Sequence, residues 1–332
     1  MRLALIGLKG HQGVVVRGAS QLGDVEIVAV ADDVKGQAER FKQRERLAKK
    51  ADVYTDWRHL LDHAMMDVCC VCDENGIRAE QIIALAERNI HIVTEKPLAT
   101  SLEDLDRIRK ALAKSKSKLT MLLTMRHEAK YIKMRELVKN GTIGEVCLVT
   151  AQKSYRLGNR PDWFKERKRL GGTIPYIGIH PIDLIRWITG MDYTRAAAFH
   201  GRIGRPEMKE TENHASVLLQ MSNGASVTAR LDYLRPETAP SHGDDRLRIA
   251  GTEGVIEARY GQKELSLITS KKKPFTVAPG QATNLFAEYL QAVRNNKPLP
   301  IATDDCIYVT DVVLRARQAA DEHKVVEIPR QK

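Results

Sequence analysis

The chain begins with an apolar run, Arg2-Leu3-Ala4-Leu5-Ile6, that passes directly into Gly7-Leu8-Lys9-Gly10-His11-Gln12-Gly13 and then into a segment able to start a helix. No other feature narrows the fold as much. A buried strand, a glycine turn and a helix place backbone amides and the positive end of a helix dipole at the strand's carboxyl end, where a pyrophosphate can be held. The glycines fall at Gly7, Gly10 and Gly13 rather than in the usual G-x-G-x-x-G, with Lys9 where a second glycine is expected, so the turn alone is a weak signal. Its surroundings strengthen it. Residues 26–31 read as a second strand, and Asp32 stands at its end, near the offset of about 20 residues at which a carboxylate meets the adenosine ribose. Strand and helix patterns then alternate: strands at 66–71, 90–93 and 119–123, helices at 79–88 and 102–114. Such alternation predicts a doubly wound parallel sheet that binds a dinucleotide. A carboxylate at Asp32 repels a 2′-phosphate, which favours NAD over NADP, although Lys35 and Arg40 lie close by in sequence.

Length and composition fit a globular chain of two domains, with 332 residues of which 43% are hydrophobic. The apolar start is too short for a signal-peptide core and no run approaches the roughly 20 apolar residues of a membrane span, so a cytoplasmic protein without membrane contact is expected. Three of the five cysteines cluster at Cys69, Cys70 and Cys72, but neighbouring strand residues point to opposite faces, which favours packed thiols over a metal site. His59 and His63 are spaced for one helical face yet lack a third ligand, and no metal is expected. The net charge of +11 comes from 53 Lys and Arg against 42 Asp and Glu. These charges are interspersed, and the densest groups, residues 165–169 and 271–273, have no interleaved aromatics; they read as solvated loops, not as a nucleic-acid surface.

A second signal is Glu95-Lys96-Pro97, which follows the apolar run at 90–93. The tripeptide by itself is an ordinary surface turn, but beyond a parallel strand it lies where α/β folds bind ligands. With the glycine turn, Asp32, Cys72-Asp73-Glu74-Asn75 and Glu95-Lys96-Pro97 in that order, the chain resembles the Gfo/Idh/MocA family of sugar-type oxidoreductases. The likeness continues in Gly141-Thr142-Ile143-Gly144, similar to the family's G-x-I-G turn, and in residues 171–183, Gly-Gly-Thr-Ile-Pro-Tyr-Ile-Gly-Ile-His-Pro-Ile-Asp, similar to its G-G-x-L-x-D-x-G-x-H-x-x-D segment. The resemblance implies an α/β protein. A Rossmann domain at 1–124 would be followed by a substrate and oligomerisation domain at 125–332, built on a large, mostly antiparallel open sheet, with the active site between the two domains and a homodimer or homotetramer as the assembly. Residues 145–152, 215–221, 225–231 and 247–250 supply strand candidates for that sheet.

The resemblance also implies roles. Gly7, Lys9, Gly10, His11, Gln12, Gly13, Asp32, Asp73, Asn75, Glu95 and Lys96 would hold NAD, and the Lys96 ammonium would stabilise negative charge on a substrate oxygen. His180 matches the acid/base position. Asp183, one helical turn on, would contact substrate or orient the imidazole. Tyr176 departs from the family, whose familiar sugar dehydrogenases carry aspartate there; a phenol either acts as donor and acceptor or shapes the pocket. Arg78 is a second departure, standing where many members have histidine. Trp163 could stack on a pyranose face, Arg160 could bind hydroxyls or a carboxylate, and Arg126 with His127 could enter the site after the last Rossmann strand. The expected activity is NAD-dependent hydride transfer at a secondary alcohol or ketone of a sugar, cyclitol or glycoside. The rivals are an NAD-dependent glycosidase acting by transient oxidation and a non-catalytic sugar or nucleotide sensor.

Overall fold

A computed structural model describes residues 1–330 of the chain, which divides into two compact units, Met1–Leu122 with Asn284–Ile307 and Leu123–Thr283 with Tyr308–Lys332. The first unit alternates β1 (Arg2–Ile6), α1 (Gln12–Leu22), β2 (Glu26–Ala31), α2 (Gln37–Arg44), β3 (Asp52–Tyr54), α3 (Trp57–His63), β4 (Val68–Val71), α4 (Arg78–Glu87), β5 (His91–Thr94), α5 (Leu102–Ala113) and β6 (Leu119–Met121). The strands form one sheet in the order β3-β2-β1-β4-β5-β6, every neighbouring pair parallel. Both faces are covered, which explains the unbroken apolar runs: Leu3, Leu5, Ile6, Val68 and Val71 have no exposed surface. Helix ends follow local rules. Gly23 closes α1 in the left-handed region at φ 72°, and the Ser101 side chain accepts the Asp104 amide at the start of α5.

The second unit contains α6 (Ala129–Lys139), β7 (Val146–Arg156), α7 (Arg167–Leu170), α8 (Ile179–Thr189), β8 (Tyr193–Gly201), β9 (His214–Met221), β10 (Ser226–Arg235), β11 (Arg246–Gly251), β12 (Gly254–Arg259), β13 (Leu265–Thr269) and β14 (Lys272–Val277). After α9 (Leu285–Arg294) and α10 (Thr303–Glu322), β15 (Val326–Glu327) completes a nine-stranded sheet ordered β14-β13-β12-β11-β7-β10-β9-β8-β15. Only the central β7–β10 pair is parallel. β9 and β10 alternate buried and exposed residues along their length, as strands with one covered face do.

Two expectations differ from this arrangement. Residues 284–307 belong with the first unit, not with everything after 124. The reason is α9, whose Leu285, Phe286, Tyr289 and Leu290 are buried, whose Asn284 bonds Gln21 at 2.8 Å and whose Tyr289 hydroxyl donates to the Lys118 carbonyl at 2.8 Å. The two basic runs are not loops. Residues 162–170 form a 3-10 turn and α7, with Arg167 paired to Glu212 and Asp321, and Lys272 opens β14 with its ammonium 3.9 Å from the Phe275 ring centre. Among the described residues no helix is long and apolar enough to cross a membrane. No group of three or more His, Cys, Asp or Glu among them could hold a metal ion.

Candidate active site

Beyond β1 the backbone turns at Gly7, whose φ of +74° suits glycine and whose position a Cβ would bring within 2.6 Å of the Asp73 backbone. The Gly7 amide donates to the Ala31 carbonyl at 2.8 Å and the Lys9 amide to the Cys72 carbonyl at 2.9 Å. These two bonds stitch the turn to the ends of β2 and β4. Strand order reverses between β1 and β4, so the turn lies at the switch point where open α/β sheets bind ligands. Gly10 permits a second close approach, since a Cβ there would stand 2.6 Å from the Glu95 side chain. The His11 amide donates to Glu95 Oε1 at 2.5 Å, immediately before Gln12 and Gly13 open α1.

Lys9 is a tether. Its ammonium reaches Asp73 at 2.8 Å and Asp33 at 2.7 Å, and these partners raise its pKa against the opposing effect of burial. Asp73 in turn accepts from Gln81 at 2.9 Å and from the Glu74 amide at 2.9 Å. Buried Asp73 therefore braces the floor of the turn, and Asn75, also buried, accepts the Arg78 amide with its carbonyl at 3.4 Å. Asp32 is 4% exposed. Its Oδ2 accepts the Leu8 amide at 2.8 Å and Gln37 Nε2 at 3.3 Å, and its Oδ1 accepts the Val34 amide at 2.9 Å. A carboxylate has about four acceptor positions, so one remains for a ribose hydroxyl and a second opens only if Gln37 turns away. Burial pushes the Asp32 carboxyl up despite these amides. Beside it lies a cavity of about 410 Å³ lined by Leu8, Gln12, Gln37, Arg40, Phe41 and Arg44, a size that accepts the adenosine end of a dinucleotide. The cavity, the amide-rich turn and the start of α1 fit such a cofactor.

Glu95 and Lys96 directly follow β5 and are each 4% exposed. The Glu95 amide donates to the Val71 carbonyl at 2.9 Å, and its Oε2 accepts the Lys96 amide at 3.1 Å. Burial opposes ionisation of Glu95, but the His11 hydrogen bond and charge, then Lys96 and Arg78, outweigh it and hold the carboxyl at about 2. The Lys96–Pro97 peptide is cis. Arg78, noted from the sequence only as a departure, is a buried side chain between these loops. Its guanidinium donates to the Asp73 carbonyl at 2.7 Å and the Pro97 carbonyl at 2.6 Å.

In the second unit Gly171 and Gly172 both take φ near +93° and lead into a π-helical turn, Ile174–Gly178, that continues as α8. Sequence reasoning missed the post that holds this turn. Glu212 accepts the Thr173 amide at 2.9 Å and would meet a Cβ at Gly172 at 3.0 Å. His180 is half-buried in the first turn of α8. Asp183 and Arg126 are both buried and locked together, Nε to Oδ2 at 2.9 Å and Nη2 to Oδ1 at 2.5 Å. Arg160 likewise lies against protein. Its Nε donates to the Leu157 carbonyl at 2.6 Å, and its guanidinium stands 5.0 Å from the Phe164 ring and 5.6 Å from Tyr233.

Tyr176 belongs to an aromatic wall. It meets Phe164 edge-on at 5.4 Å and Trp163 at 6.5 Å; Phe164 meets Tyr233 at 5.4 Å, and Tyr233 lies 6.4 Å from Tyr155. Phe164, Tyr233 and Tyr155 come from separate stretches of chain, so no local pattern marks them. Burial keeps the Tyr233 phenol well above its ordinary pKa.

Residues 1–123 match the oxidoreductase family with an NAD-binding Rossmann fold, and residues 131–257 match the GFO/IDH/MocA C-terminal domain. The myo-inositol 2-dehydrogenase of Thermotoga maritima is 25% identical over 82% of this chain and 79% of its own. A solved structure from Thermotoga maritima, assigned as an oxidoreductase, is 31% identical and superposes with a TM-score of 0.92 over 99% of this chain and 100% of that one. Levoglucosan dehydrogenase, solved with NADH, shares the fold at a TM-score of 0.87 and 16% identity over 99% of each chain. Family domains matched in order, a full-length structural counterpart and a dinucleotide cradle at the switch point agree: the chain belongs to the Gfo/Idh/MocA oxidoreductases and is an NAD-binding dehydrogenase.

Proposed function

We propose that the chain transfers hydride between NAD and a secondary alcohol or ketone of a sugar, cyclitol or glycoside, with residues 1–124 binding NAD and most of residues 125–332 binding substrate. The observation that carries this reading is the placement of Lys96. A buried ammonium-bearing residue follows β5, two strands from β1 in one parallel sheet, at the same carboxyl end as the glycine turn. NAD, when bound, accepts or supplies the hydride. Lys96 stabilises the negative charge that grows on the substrate oxygen. His180 takes the hydroxyl proton in oxidation and returns it in reduction, a task an imidazole performs near neutral pH. Asp183 acts through Arg126, fixing α8 and with it the imidazole. Tyr176 is part of the wall, where half-buried Trp163 offers an aromatic face to the C–H side of a ring and buried Phe164 backs it.

Substrates of relatives support the class: the similar Thermotoga maritima protein is a myo-inositol 2-dehydrogenase, and a Bacillus subtilis relative, 24% identical, is a scyllo-inositol 2-dehydrogenase. A homodimer or homotetramer is supported by the open side of the nine-stranded sheet, where Leu148, Phe199, Leu218 and Leu234 are 43%, 73%, 50% and 52% exposed. All five cysteines are free thiols, which suits the reducing cytoplasm. The test is a screen of inositols, sugars and their keto forms by NADH absorbance, repeated with Lys96→Ala. Turnover should fall on the order of 100-fold or more, and near-parental turnover would sink the mechanism. Cleavage of a nitrophenyl glycoside without added NAD would instead indicate the glycosidase.

A further inference from the structure

Arg78 is the most completely buried charged residue at the cofactor end of the first unit, 1% exposed, and it is the first residue of α4. Neither condition favours an arginine. The start of a helix carries partial positive charge, and taking a guanidinium out of water is costly unless its donors are used. Here they are aimed at two backbone carbonyls, Asp73 at 2.7 Å and Pro97 at 2.6 Å. Those carbonyls belong to the loops that leave adjacent parallel strands, β4 and β5, whose last residues Val71 and Thr94 are register partners. One loop carries Asp73, which holds Lys9 of the glycine turn. The other carries Glu95, which holds the His11 amide, and Lys96.

We propose, resting on the hydride-transfer reading above, that Arg78 is a positioning residue: a rigid two-pronged brace that sets the spacing of the Asp73 and Glu95-Lys96-Pro97 loops and so aims the Lys96 ammonium. The planar guanidinium suits this task because its donors diverge at fixed angles, whereas a lysine ammonium has no such fork. The same positive charge also faces the Glu95 carboxylate, together with His11, Lys96 and the Cys72 thiol. Arg78 thus has two separable properties, geometry and charge.

The test compares Arg78→Lys, Arg78→Gln and Lys96→Ala in the whole 332-residue chain, measuring NADH binding by calorimetry at pH 7 and steady-state turnover of a substrate found by the screen. Arg78→Lys keeps the charge and removes the fork, so NADH binding should stay near the parent's while kcat falls on the order of 10- to 100-fold with KM little changed. Arg78→Gln removes fork and charge together and should lose as much kcat. A purely structural arginine would lower thermal stability without splitting kcat from KM. Should the glutamine variant not fold, the lysine variant decides alone. A folded lysine variant with kcat within twofold of the parent overturns the proposal, and if Lys96→Ala in the same assay has lost turnover, the hydride-transfer reading stands while the brace falls. If Lys96→Ala turns over normally, that reading itself has failed.

Discussion

The buried pair Arg126–Asp183 offers a direct measure of how the second unit is held together. Each side chain is 3% exposed, and two charge-assisted hydrogen bonds of 2.9 and 2.5 Å join them. With charge centres about 4 Å apart and an effective dielectric constant near 20, the attraction is roughly 4 kcal/mol. Replacing Asp183 by leucine removes that attraction and leaves a buried guanidinium, for which a loss of about 3–5 kcal/mol is expected. Arg126→Met should cost a similar amount. The double substitution removes both charges at nearly conserved volume, so it should lie within about 1.5 kcal/mol of the parent, giving a coupling energy of about 4.5 kcal/mol or more. Urea unfolding followed by tryptophan fluorescence suits the measurement, because Trp163 and Trp187 lie in the second unit and only Trp57 in the first. Costs that simply add, or singles each losing under about 1 kcal/mol, would refute the reasoning. The double variant also separates brace from contact. If Asp183 acts by fixing α8, a stable double variant should retain turnover within about tenfold, whereas a stable but inactive one would make the carboxylate a substrate contact after all.

Two further outcomes are expected. Gly10→Ala should weaken NADH binding at least tenfold in calorimetry, since its Cβ would overlap the Glu95 carboxylate at 2.6 Å and push it off the His11 amide; parental affinity would mean that the turn has slack the geometry denies. Stability should fall in two steps on acidification. In the second unit His127, held neutral at about 4 against an ordinary 6.5 by burial and by Arg126, loses its contribution as pH drops from 6.5 toward 4, because the unfolded chain takes up the proton first. In the first unit Glu95, lowered from 4.5 to about 2, contributes about 3 kcal/mol that is present above pH 4.5 and vanishes toward pH 2. Urea titrations at pH 7, 5, 4 and 2.5 check the order, and a Glu95→Gln protein that keeps the lower step would disprove its assignment.

What the sequence revealed and what it hid divide along one physical line. Strand β1, the glycine turn and the alternation to β6 were legible because burial on both faces writes itself as continuous apolar residues, and left-handed backbone selects glycine. The alternation in β9 and β10 was legible for the same local reason. The partners of polar side chains were not. Lys9 looked like a flaw in a glycine pattern because Asp73, 64 residues away in sequence, is what gives it a purpose. Arg126 and Asp183 are separated by 57 residues, and each taken singly resembles a solvent-facing site residue. Periodicity reports which side of an element is covered; it does not report by whom. The same blindness put α9 in the wrong domain, since an amphipathic helix does not announce which sheet will receive it.

Tyr176 shows how a single departure gains meaning from such hidden partners. In isolation it is an aspartate lost. In the fold its ring meets the edges of Phe164 and Trp163, and Phe164 in turn meets Tyr233, whose phenol is fully buried. An aspartate at this position would give up the ring contacts with Phe164 and Trp163 and leave part of the wall unfilled. The tyrosine therefore fits the wall built around it, and Arg160, stacked near Phe164 and Tyr233, belongs to the same construction. On that basis Tyr176→Asp alone should not turn the chain into a familiar sugar dehydrogenase; Phe164 would have to change with it, because an aspartate leaves that buried ring without the edge contact the phenol ring supplies.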